Sequence, residues 1–174
     1  SGSDDMHTLK WNEEDYSKIR MKARVLRDVS SLKVDTELFG CKLRFPLIAA
    51  PSAMHRMAHE DGEIGSSTAV NQFGSAFCLS TLSTTKMDKV SEANPEKNLF
   101  YQLYEFKDRE LTKRLIETAE KNNYKALFVT VDAPRLGNRE PDHRNKFHLR
   151  EGLVLENLLS NVDKLNLDEQ NNQK

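Results

Sequence analysis

Four short apolar runs, each followed by a segment with helical character, constrain this chain more than any other feature. Leu47-Ile48-Ala49-Ala50, Ala76-Phe77-Cys78-Leu79-Ser80, Leu99 to Phe106 and Ala126 to Val131 show little polar alternation. Runs of this kind suit strands covered on both faces. Between them, Gly62 to Phe73 reads as a helix with Gly74 as its stop, and Lys86 to Ala93 as a short helix ended by Asn94-Pro95. Asp108 is placed as an N-cap for a third helix. Leu111, Leu115, Ile116 and Ala119 fall on one face of it, and Asn122-Asn123 closes it. The units recur roughly every 26 residues, an alternation that predicts parallel strands with covering helices. Rhythm alone fits either a doubly wound sheet or a (β/α)8 barrel. The stretch Ser1 to Asp28 reads as polar and irregular, and beyond Asp132 the chain is polar apart from a weak apolar cluster at Leu153 to Leu159.

Composition narrows the function classes. A formal net charge of -1 gives no electrostatic footprint for nucleic acid or an anionic membrane. No run of about 18 apolar residues is present to span a bilayer. Cys41 and Cys78 sit in apolar settings without metal-ligand spacing and read as buried thiols rather than a disulfide. Hydrophobic residues make up 37% of the 174, enough for one core of modest size. His55 and His59 are four apart but follow a strand without an HExxH-type pattern, so no metal site is predicted. No Gly-rich phosphate loop of Walker or Rossmann type is present.

In parallel α/β folds, ligands gather at the carboxyl ends of the strands. There the sequence delivers Ser52 and Ala53, then Ser80 and Thr81, then Gln102 and Tyr104, then Thr130 and Asp132, with Arg135 and Arg139 close behind. Hydroxyls, an amide and a phenol on adjacent strand ends suit a flat heteroaromatic ligand with several hydrogen-bonding edges. Arginine suits a carboxylate. Each residue also has a plainer reading. Ser52-Ala53 and Asp132 suit turns, Ser80 and Thr130 suit backbone capping, Gln102 suits an exposed strand face, Tyr104 a half-buried aromatic, and the arginines a solvated surface.

At these positions the chain resembles the FMN-dependent L-2-hydroxy-acid oxidase and dehydrogenase family, which includes glycolate oxidases and yeast-type flavocytochrome lactate dehydrogenases. The matching stretches are Arg24 to Val29, Ala50-Pro51-Ser52-Ala53-Met54, Met57-Ala58-His59 through Gly62-Glu63, Tyr101 to Tyr104, and Thr130 to Glu140. They run in family order over about Ser1 to Leu158. The resemblance implies the first half of a (β/α)8 TIM barrel, with FMN as cofactor and a small 2-hydroxy acid as substrate. It implies that Ser52 and Ala53 lie against the flavin ring and that Ser80, Gln102 and Thr130 bond its polar edge. Tyr104 and Arg139 would hold the substrate, and Asp132 would pair with a catalytic histidine. Leu82 stands where glycolate oxidases carry Trp, which favours lactate over glycolate.

The resemblance also implies what lies elsewhere. None of the five histidines falls in the family's catalytic context, and the family's base, second substrate arginine and flavin-facing lysine belong to the second barrel half. Ser1-Gly2-Ser3-Asp4-Asp5 resembles family sequence just after an active-site tyrosine, and the sequence ends within the connection after strand four. The expectation is therefore a fragment, inactive alone, whose partner is the C-terminal half of the same barrel. The complete enzyme is expected to be a homo-oligomer in an intracellular, peroxisomal or mitochondrial setting. Residues 1–158 are assigned to the half barrel and 159–174 to an exposed loop or tail. Two other readings stay open: a non-catalytic half-barrel assembly fragment, and an FMN-dependent isomerase of related fold.

Overall fold

The computed structural model describes residues 2–96, 98–133 and 135–159. Its elements run α1 (His7–Glu14), a 3-10 turn (Asp15–Lys18), β1 (Thr36–Leu38), β2 (Cys41–Leu43), β3 (Ile48–Ala49), a 3-10 turn (His55–Met57), α2 (Gly62–Gln72), β4 (Ala76–Leu79), α3 (Met87–Glu92), β5 (Leu99–Leu103), α4 (Arg109–Lys121), β6 (Ala126–Val129) and α5 (Glu140–Arg144). The chain divides into two compact units. One holds residues up to Lys33 and Asp132–His148, and the other holds Val34–Val131 and the residues from Leu149.

The larger unit is built on a four-stranded sheet in the order β3-β4-β5-β6, parallel throughout. Its register explains why the apolar runs carry no alternation. Ile48 pairs with Ala76, Cys78 with Phe100 and Phe100 with Ala126, so even-numbered residues share one face. That face holds Ala76, Cys78 and Phe100, with Ile48, Ala126 and Phe128 packed against them. Odd-numbered Phe77, Leu79, Leu99, Tyr101 and Leu103 line the other face beneath Met87, Val90, Leu115 and Ala119 of the helices. Both faces are covered at β4 and β5, whose residues are all buried. Each fully buried large side chain there contributes about 1.5–3 kcal/mol.

The helices form for the local reasons expected of them. Asp108 caps α4, its carboxylate accepting from the N–H groups of Glu110 and Leu111, worth about 1 kcal/mol. Leu115 and Ala119 are buried and Leu111 packs beside them, but Ile116 is 36% exposed, off the centre of the apolar stripe. Asn123 takes the left-handed conformation that ends the helix. Gly74, at φ 76, does the same after α2. Both cysteines are buried and free, and burial pushes the Cys78 thiol up to about 12.

The structure corrects several expectations. The first strand is only two residues long, and Leu47 is 63% exposed, so this edge is not covered on both faces. The third strand ends at Leu103 rather than Phe106. The fourth, from its apolar composition the clearest, alternates half-buried and exposed residues because it lies at the other edge. The polar start contains α1, a helix without buried residues whose weak apolar pattern gave no signal. The hairpin β1-β2 also went unread. Its Phe39 packs edge-on against Phe100 and Phe128, and its Cys41 and Leu43 join the even-numbered face, closing the amino-terminal end of the sheet. The Leu153 to Leu159 cluster docks: Leu158 packs on the core, and Asn157 accepts from the Met87 N–H while donating to Ser83 Oγ. The predicted loop or tail beyond Leu159 lies outside the described residues.

Candidate functional site

The even-numbered face changes chemistry at its carboxyl end. After Cys78 comes Ser80, after Phe100 comes Gln102, and after Phe128 comes Thr130, so the register that aligns the core also aligns three polar residues across adjacent strands. They form a connected row. Gln102 Nε2 donates to Thr130 Oγ1 at 2.9 Å. Gln102 Oε1 accepts from the Thr81 N–H at 3.2 Å and, at a longer 3.4 Å, from Ser80 Oγ. Ser80 Oγ in turn accepts from the Leu82 N–H. Gln102 is 3% exposed and Ser80 5%, which overturns the plain reading of Gln102 as an exposed strand residue. A buried amide fixed from both sides presents a set pattern of remaining donors and acceptors, and such fixed polar groups give a pocket its specificity.

Thr81 is the fastener behind this row. Its hydroxyl donates to the Gln102 carbonyl at 2.5 Å and accepts from the Tyr104 N–H at 3.3 Å. Tyr104 is half-buried one step past β5. Ser52 and Ala53 lie exposed in the loop leaving β3. The next residue, Met54, is left-handed at φ 60, a conformation that costs a non-glycine residue about 1 kcal/mol or more and clusters at functional sites.

One group that the sequence left unassigned organises this end of the sheet. Glu63, in the first turn of α2, has no exposed surface. Its Oε1 accepts from the His55 N–H at 3.0 Å, the Thr84 N–H at 2.8 Å and Thr84 Oγ1 at 3.0 Å, and its Oε2 accepts from Thr85 Oγ1 at 2.6 Å. Burial would push this carboxyl up, but the bonds from Thr85, the Thr84 N–H and the His55 N–H hold it below the usual carboxylate range. The signal for it was present: a run of three hydroxyl residues, Ser83-Thr84-Thr85, just after a buried strand. His55 packs edge-on against Phe77 with its Nδ1 bonded to Ser66 Oγ, and His59 lies 3.5 Å from Asp61.

Asp132, Arg135 and Arg139 belong to the smaller unit. Asp132 and Arg135 are exposed there, while Arg139 is half-buried, 3.7 Å from Asp142 at the start of α5. In the same unit the Asp4 N–H donates to the Asn138 carbonyl. Among the described residues, then, the structure brings Ser80, Gln102 and Thr130 into one network, with Thr81 and Tyr104 attached. The remaining predicted residues lie outside it. Thr84, Thr85 and Glu63 are the additions. No helix among the described residues is long and apolar enough to cross a membrane.

Comparison with known proteins matches this architecture. A family model described as FMN-dependent dehydrogenase matches residues 1–173. Glycolate oxidase 3 of Oryza sativa subsp. indica is 41% identical over 170 residues, covering 95% of this chain and 46% of that protein. Human 2-hydroxyacid oxidase 1 is 42% identical over 157 residues, covering 90% and 42%. A mandelate oxidase mutant solved with (S)-mandelic acid superposes with a TM-score of 0.83 at 27% identity, over 88% of this chain and 45% of that one. The same enzyme carrying a C4a-OH-FMN adduct gives 0.84. The chain thus spans about half the length of the relatives it matches, and its four parallel strands are the first half of a (β/α)8 barrel. With fold, strand-end network and sequence in agreement, the chain belongs to the FMN-dependent dehydrogenase family.

Proposed function

We propose that this chain is the flavin-facing half of an FMN-dependent oxidase or dehydrogenase that converts a small L-2-hydroxy acid to the 2-oxo acid. The observation that carries the reading is the hydrogen-bonded row Ser80–Gln102–Thr130, buried at Ser80 and Gln102 and spanning three strands at the end where such barrels bind ligands. Its alternating hydroxyl and amide groups fit the alternating carbonyl and N–H edge of an isoalloxazine ring. FMN, when bound, supplies the two-electron acceptor; the protein supplies position and charge. In this reading Gln102, locked by Thr81 and Thr130, orients the ring edge, and the exposed backbone of Ser52 and Ala53 lies along its face. Tyr104 holds the substrate hydroxyl and Arg139 its carboxylate, exchanging Asp142 for the substrate as partner. Asp132 steadies the positive charge on a histidine that takes the substrate proton and comes from the second barrel half.

The C-terminal half of the barrel is the proposed partner, and the completed enzyme is proposed to be a homo-oligomer in an intracellular, peroxisomal or mitochondrial setting. Half-buried Leu82, beside Ser80, favours lactate or longer acids over glycolate. The test is steady-state oxidation of L-lactate, 2-hydroxybutyrate and glycolate by the chain produced together with the rest of its barrel. Turnover with FMN and a higher kcat/KM for L-lactate supports the reading. Flavin binding without oxidation of any of the three contradicts it.

A further inference from the structure

The loop that leaves β3 is held by an unusual succession of bonds. Three consecutive backbone N–H groups all point into the neighbouring loop or into Glu63. Met54 N–H donates to the Leu82 carbonyl at 3.2 Å, His55 N–H to Glu63 Oε1 at 3.0 Å and Arg56 N–H to Thr84 Oγ1 at 3.1 Å. The same Glu63 carboxylate takes the Thr84 N–H and both threonine hydroxyls of the β4-α3 loop. Gly62 makes the approach possible. At φ 50, an added Cβ there would run into the Arg56 side chain. One buried carboxylate therefore ties together the start of α2, the Ser52-Ala53 loop and the loop bearing Leu82.

We propose that Glu63 is a positioning residue that locks the flavin-facing loop and the Leu82 loop into one body, so that flavin affinity and substrate selectivity depend on it together although it touches neither ligand. This rests on the FMN reading above. A buried carboxylate with only donors around it has no structural need to bridge two separate strand-end loops. A helix start can be capped far more simply by a side chain of its own. The left-handed Met54 next to the bridge shows that the loop is held in a conformation it would not adopt unaided.

The test uses the chain completed with its second barrel half, as wild type, Glu63→Gln, Glu63→Ala and Thr85→Val. Amide hydrogen exchange is read at Met54, His55 and Arg56, with Phe100–Leu103 of β5 as internal control. FMN affinity is read by flavin fluorescence, and selectivity as the ratio of kcat/KM for L-lactate and glycolate. The expected result is exchange at least about tenfold faster at residues 54–56 in Glu63→Ala, with β5 unchanged. FMN binding should weaken about tenfold and the selectivity ratio should fall. Glu63→Gln should recover most of this, because its amide oxygen still accepts from the His55 and Thr84 N–H groups. Should Glu63→Ala fail to fold, Thr85→Val removes one donor and should show the same pattern at smaller size. Faster exchange with unaltered FMN affinity and selectivity, or exchange that rises equally in β5, would overturn the proposal. A wild-type protein that binds no FMN would instead overturn the functional reading on which it rests.

Discussion

Two groups of proposed site residues differ in how firmly this chain fixes them. The row Ser80–Gln102–Thr130 is buried or half-buried, bonded across three strands and fastened by Thr81. The segment just past β6, with Asp132 and Arg135, is exposed and sits in a separate compact unit. The first region is fixed by sheet register, which one half barrel already possesses. The second carries charges whose proposed partners come from elsewhere. The lesson is that strand register alone can align and fix a polar row across a sheet, whereas the charged residues past β6 gain no such fixing from it.

That contrast predicts opposite responses to substitution. Gln102→Leu removes the acceptor of the buried Thr81 N–H and the donor to Thr130, and should cost about 2–3 kcal/mol of stability. Denaturant unfolding measures this, and a loss below about 0.5 kcal/mol would show that the row is not load-sharing with the core. Asp132→Asn, at an exposed position, should leave stability within about 0.5 kcal/mol. In the completed enzyme it should lower kcat on the order of tenfold or more, as expected when a charge-stabilising partner is lost. An unchanged kcat would remove Asp132 from the chemistry.

Much of this was legible in the sequence, and the reasons are physical. Uninterrupted apolar runs of strand length suit strands covered on both sides, and β4 and β5 have that coverage. Stop signals at Gly74 and Asn94-Pro95 likewise marked α2 and α3, and capping with periodicity marked α4. What stayed hidden depended on distance. The coverage of β3 and β6 is set by their place at the sheet edges, which no local pattern encodes. The β1-β2 hairpin is too short to show a period. Gln102 was named as a site residue from its strand position, but its burial followed only once register put it between Ser80 and Thr130. Glu63 left only the hydroxyl run Ser83-Thr84-Thr85 as a signal, and its role needed the fold because its partners lie 8 and 21 or 22 residues away.

Smaller effects sharpen the picture. The Glu63 carboxyl is held below its usual range when folded, so its contribution to stability is full above the ordinary carboxylate value and is lost as pH falls through the lowered folded-state value. Glu63→Gln should therefore flatten the acid side of the melting-temperature profile while leaving its neutral-to-alkaline side parallel to wild type. A profile that stays parallel down to low pH would show that the ionised form is not what the threonines hold. Leu82→Trp should shift kcat/KM towards glycolate by about 1 kcal/mol, near the low end of what a pocket wall of this kind discriminates. No shift in the lactate-to-glycolate ratio would free Leu82 from the substrate pocket.

The most direct test of the account is the flavin content of the purified 174-residue chain, alone and after production with the second half of its barrel. Alone, the chain offers the Ser80–Gln102–Thr130 row and, among the described residues, a sheet that ends at β3 and β6. In a (β/α)8 barrel of this kind, phosphate is commonly gripped by loops after the later strands. The account predicts weak or no FMN retention and no 2-hydroxy-acid oxidation from the chain alone, with near-stoichiometric FMN and turnover once the barrel is complete. A soluble, yellow monomer of this chain that oxidises L-lactate unaided, or a completed barrel that holds no FMN, would contradict it.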